Sequence, residues 1–256
     1  MEKRGQVTVF IIVGILILVI AVSLWFLLER ATTSRLREES LPTSLKTESL
    51  QQFLEQCLTS ATEKGITFIS QQGGYYRTIP PYYEFGFVKI PYYFDATVLT
   101  VPSEQQVEQE LADYVQESTA LCWGNLSRFP WKVALTEEST VMIDITPDIV
   151  IATQSVNALV YAGKDLLEIG TIERRVPAVL GKALRIQEQI LQIQPEFPEE
   201  IPLSSLASLA EQNAIKIELQ RTGETVFYIL QFFSYSENPD YNYIFAMRYA
   251  WSENEP

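Results

Sequence analysis

Carboxylates, tyrosines and one pair of cysteines are the side chains with most to offer chemically in this 256-residue sequence, because histidine is absent. The commonest general base, the Ser-His and Cys-His nucleophile pairs and every histidine-containing metal site go with it. Two carboxylates suffice for glycoside hydrolysis, and Asp144 with Asp148, Glu104 with Glu108 and Glu137 with Glu138 are candidate pairs. Glu104 and Glu108 read as a solvated stripe on one helix face, and Asp144 and Asp148 as residues flanking a proline turn. No EF-hand spacing offers a calcium site. No P-loop, dinucleotide fingerprint, Gly-x-Ser-x-Gly elbow or zinc-protease signature is present. The expectation is a non-enzyme with no cofactor and no metal; the alternative is a hydrolase of envelope polymers that uses paired carboxylates.

Cys57 and Cys122 are the only cysteines. A disulfide between two helices in an oxidising compartment is one reading, and two separately buried thiols in a cytosolic protein is the other. Asn125-Leu126-Ser127 is the sole N-glycosylation sequon and lies three residues beyond Cys122. Between Tyr75 and Phe94 stand nine aromatics: Tyr75, Tyr76, Tyr82, Tyr83, Phe85, Phe87, Tyr92, Tyr93 and Phe94. Tyrosine joins a large apolar face to a polar tip, so such a tract either covers its own core or presents an interface to a protein, a glycan or a neighbouring subunit. Self-packing is favoured, with part of the tract, led by its tyrosines, exposed as an interface.

These residues need elements to hold them, and the first is not part of a soluble fold. Val7 to Leu28 is 22 residues long without a charge. As a helix it spans roughly 33 Å, enough to cross the hydrocarbon core. Lys3 and Arg4 on one flank face Arg30, Arg35 and Arg37 on the other, so the positive-inside count leaves orientation open. Acidic residues outnumber basic ones by 32 to 19, for a net charge of −13, which disfavours nucleic acid as a partner.

The string Lys3-Arg4-Gly5-Gln6-Val7-Thr8-Val9-Phe10 resembles the class III signal peptide of archaeal type IV pilins and archaellins. That resemblance implies cleavage after Gly5, with Gln6 as the new N-terminus and the apolar helix kept as filament core or anchor. Phe10 departs from the pattern, since many members carry a glutamate at that place. Further on, the run from Gln56-Cys57-Leu58 through Gln72-Gly73-Gly74-Tyr75 to Pro91-Tyr92-Tyr93 is similar to uncharacterised single-span surface proteins of small-genome archaea. This likeness implies a location and no chemistry.

After a polar stalk over 29–42, Thr43 or Ser44 can cap a helix that runs to about Lys64 and stops at Gly65. Ile66 to Ser70 reads as a strand, Gln71 to Gly74 as a turn, and Tyr75 to Phe94, with three prolines, as extended or irregular chain. A second helix follows from Ser103 to about Leu121. Val141 to Ile145, Ile149 to Thr153 and Ala158 to Tyr161 look like strands, and a long helix is expected from Ile172 to Ile193. Prolines 195, 198 and 202 form a connector and the best candidate subdomain boundary. A short helix from Ser204 to Asn213 precedes a three-strand meander over 215–221, 225–233 and 241–251. The whole reads as α+β: an anchor over 1–28, the stalk, and an extracytoplasmic domain over 43–256. The expected role is that of a pilin-like subunit or surface adhesin, held to membrane lipid through 7–28 and able to form a homo-oligomer or filament. A cytosol-facing partner-binding module is the reading with reversed orientation.

Overall fold

The computed structural model describes residues 43–95, 98–123, 132–135, 139–162, 165–233, 241–249 and 251. Gly5, Gln6, the segment 7–28, the stalk, Asn125, Glu137 and Glu138 lie outside these residues. The chain divides into two compact units, Met1–Ser49 and Leu50–Pro256, and the fold described below is that of the second, apart from the first residues of α1, Thr43–Ser49. It is α+β. Among the described residues the helices are α1 (Thr43–Gln71), α2 (Glu104–Trp123), α3 (Leu180–Ile193) and α4 (Leu203–Asn213). None of them is long and apolar enough to cross a membrane.

Strands β1 (Tyr82–Phe85), β2 (Val88–Asp95), β8 (Ile215–Thr222), β9 (Thr225–Phe232) and β10 (Tyr241–Arg248) form one sheet in the order β1-β2-β10-β9-β8, with the two-residue β3 (Val98–Leu99) also on β2. Among the described residues of this sheet only β2 and β10 pair in parallel. The second sheet is built on the long strand β6 (Ile149–Ala162), flanked by β7 (Asp165–Pro177) on one side and by β4 (Lys132–Leu135) and β5 (Thr140–Ile145) in line on the other. Each sheet turns one face to the helices, and a single buried cluster takes residues from both. Alternation along β9 shows why: Val226, Tyr228 and Leu230 enter that cluster, while Phe227 faces the other way into a smaller one with Ile90, Tyr92 and Ala246.

Local expectations fail where tertiary contact overrides them. The helix expected to stop at Gly65 continues to Gln71, through the residues read as a strand. Gly65 lies where α1 crosses α2, and a Cβ there would stand 2.7 Å from Leu111 and 2.8 Å from Tyr114. It is a point of close approach, and burial of Ile66 and Ile69 outweighs the weak helix propensity of β-branched residues. The two short strands expected at 149–153 and 158–161 are one strand with a bulge, at which Asn157 takes φ 47°. The helix expected from Ile172 begins only at Leu180. Ile172 to Val176 instead pair with β6, and Pro177 keeps Val176 extended. Residues on both sides of the 195–202 connector share the one core. The terminal meander forms as read, although β10 ends at Arg248.

Candidate interaction surface

The segment after α1 is placed by two glycines. Gly73 and Gly74 have φ of +54° and +79°, and a Cβ on them would meet Pro91 at 2.6 Å and Val107 at 2.8 Å. The turn therefore presses β2 and α2 together, as no larger residue would allow. Gln72 extends the tie: its side-chain oxygen accepts from the Lys89 N–H at 3.4 Å and its amide donates to the Tyr75 carbonyl at 3.4 Å.

The loop that follows is held by a carboxylate. Glu110 on α2 is buried and accepts the backbone N–H groups of Tyr76 at 2.8 Å, Arg77 at 2.6 Å and Thr78 at 3.3 Å. Beside it the Tyr76 hydroxyl donates to Glu117, and Arg77 pairs with both Glu117 and Asp113. The Glu117 carboxyl is held below its usual range, first by the Tyr76 hydroxyl and then by Arg77. The same hydrogen bond, with some burial, pushes the Tyr76 hydroxyl up to about 12. The Tyr76 ring meets Phe68 and Tyr114 edge-on, at 5.9 and 5.2 Å.

The tyrosines read as one interface separate into three sets. Tyr75, Tyr92 and Tyr93 are buried and contribute to the core, which corrects their assignment to an exposed surface. Tyr93 stacks on Phe245 at 4.7 Å, donates its hydroxyl to the Gly73 carbonyl at 2.5 Å and lies 2.8 Å from the Tyr243 hydroxyl. Tyr92 bonds Thr225 at 3.0 Å. Tyr76 and Tyr83 are half-buried, Tyr83 edge-on to Phe227 at 5.0 Å. Of the six, only Tyr82 is exposed.

What the fold presents instead is the tip of the β1–β2 hairpin. Phe85 and Val88 are paired across a two-residue turn, Gly86-Phe87, with Gly86 at φ +61°. A glycine at the first position matches the tight turn that suits strand twist. Phe85 is 68% exposed and Phe87 106%, and nothing comes within 4 Å of a Cβ placed on Gly86. Six of the fifteen large apolar side chains exposed among the described residues fall within 82–101, in two groups: Tyr82, Phe85 and Phe87 on the hairpin, and Val98, Leu99 and Val101 at the far end of β2, where β3 pairs with Phe94 and Asp95. A depression of about 400 Å3 between Ile79, Pro80, Leu99 and Val101 adjoins the second group. Monomer surfaces rarely concentrate apolar area in this way unless it meets something. The tyrosine count of the tract concealed the tip; the signal was the Phe-Gly-Phe triplet at a turn.

Of the carboxylate pairs, Glu104 with Glu108 and Asp144 with Asp148 lie among the described residues, and their members are exposed or engaged separately. Glu108 accepts the Ile145 N–H at 3.0 Å, while Asp148 pairs with Lys182 and Asp144 and Glu104 are exposed. Among the described residues no group of three or more Cys, Asp or Glu stands close enough to hold a metal. Cys57 and Cys122 sit at bonding distance, with Cα atoms 6.1 Å apart, joining α1 to α2. Comparison with family models, curated proteins and solved structures gives no match.

Proposed function

We propose that this chain is a membrane-anchored extracytoplasmic structural or interaction protein, a pilin-like subunit or surface adhesin. In this reading Val7 to Leu28 crosses the membrane, residues 29–42 are the stalk, and the α+β unit acts outside the cell through the hairpin tip. The observation that carries it is the pair of bare phenylalanines, Phe85 and Phe87, at the hairpin tip of a domain whose described carboxylate pairs are exposed or engaged. A cysteine pair at bonding distance supports an oxidising compartment, where Asn125 would be open to glycosylation and Gly5-Gln6 to signal processing. Partners are a second copy, a surface protein or a glycan, and no catalysis is assigned.

Protease shaving of intact cells tests it. The expected result is digestion of the α+β unit while a cytosolic marker survives, together with a mature mass lacking residues 1–5. Full protection until the cells are lysed would instead establish the cytosol-facing module.

A further inference from the structure

At the edge of the six-stranded sheet opposite the β1–β2 hairpin lies a cleft of about 520 Å3, framed by α3, the end of α4, and the adjoining ends of β8 and β9. Its volume falls within the roughly 300–1,000 Å3 of sites that hold a ligand. One side is cationic: Lys182, paired with Asp148, and Arg185, which is exposed and makes no ion pair among the described residues. The other side is apolar, formed by buried Ile186, Ile215 and Phe232 with exposed Phe233 at the rim. No carboxylate is among the described residues that line it, although the chain carries 32 of them against 19 cations.

The hairpin tip has the complementary set. Phe85 and Phe87 are bare, and Glu84 beside them is exposed. Lys89 stands directly opposite Glu84 in the register, but its ammonium lies 5.0 Å over the Tyr82 ring, so Glu84 makes no ion pair among the described residues. A knob of two bare aromatics beside one exposed carboxylate thus occupies one edge of a sheet, and a cleft with a cationic side and an apolar side occupies the other.

We propose that the Glu84–Phe87 tip of one copy seats in the α3–α4–β8–β9 cleft of a second, with Phe87 against Phe232 and Glu84 facing Arg185. This deepens the structural-protein reading above and rests on it for its biological setting. Knob and cleft are different surfaces on opposite edges, so a copy whose tip is seated keeps its own cleft open, and the copy that receives it keeps its own tip open. The contact is head-to-tail and propagates where the rotation does not close a ring.

The test is sedimentation velocity on the purified full-length chain in detergent. Wild type is expected to give a concentration-dependent ladder. Glu84→Arg and Arg185→Glu, both exposed positions that leave the core alone, should each weaken association at least tenfold, as should Phe87→Ser. An equimolar mixture of the two charge reversals should restore the ladder, because every tip then meets a cleft of opposite sign. A wild-type chain that stays monomeric to about 1 mM overturns the proposal. So does a ladder that survives both reversals, the pattern of association through the apolar N-terminal segment, and so does a mixture that fails to recover. The shaving result is independent: a domain found inside the cell removes the anchored reading and leaves this contact measurable.

Discussion

Glu110 shows how one side chain serves a surface it does not belong to. Three consecutive N–H groups would be left without partners on the inner side of the 76–78 loop were it not for this carboxylate. Buried donors without acceptors cost about 1–3 kcal/mol. Glu110→Ala is therefore expected to destabilise the domain by about that amount in urea unfolding, with amide exchange rising first at Tyr76 to Thr78. Glu110→Gln keeps an oxygen to accept with and should lose less. In the sequence Glu110 is one of many acidic residues on an amphipathic helix. Its role depends on the glycine turn that returns the chain to α2, and no spacing rule signals it.

At the scale of elements, the pair α1 and α2 is the frame on which the loop, the hairpin and the second sheet are hung. They touch closely at Gly65 and are bridged by Cys57 and Cys122, which lie 65 residues apart. Closing a loop of that length stabilises by about 4 kcal/mol in the chain-entropy account. Reduction, or Cys57→Ser, should lower the unfolding free energy by about that amount at unchanged pH. A smaller loss, below about 1 kcal/mol, would mean that packing of α1 on α2 already restricts the unfolded chain. Helix positions and the meander were readable because amphipathic period and turn residues are local signals. β4 and β7 were not, because each takes its identity from pairing with β6, β4 with its end and β7 with its whole length; the helix expected from Ile172 lost its first residues to that ladder.

For the whole molecule, the hydroxyls buried between helices and sheet act together. Tyr75 and Tyr249 are pushed up to about 12, chiefly by burial, with the Glu110 charge adding to Tyr75. Tyr93, Tyr228, Tyr241 and Tyr243 are driven further in the same direction by burial. A folded state that keeps these protons after the unfolded chain has released them loses stability as pH rises. The contribution is complete below the ordinary tyrosine value of 10.0 and is withdrawn as pH climbs through about 12. The urea midpoint should stay level from about pH 7 to 9 and fall above 10, with phenolate absorbance of the buried tyrosines appearing together with unfolding. Phenolate absorbance that rises fully while near-UV dichroism is unchanged would show that these hydroxyls ionise within the folded state.

The residue order by itself determined the α+β class, most helices, the meander and the acidic surface, because hydrophobic period, capping and charge are properties of neighbours along the chain. The long uncharged N-terminal run is likewise read from composition and length alone. Only the tertiary structure decided which tyrosines are spent on the core, that Gly65 and Gly73 are points of contact, and that Phe87 stands bare at one edge of a sheet whose other edge holds a cationic cleft. Exposure and convergence are distances between residues far apart in sequence, and those distances exist only once both sheets have closed on the helices.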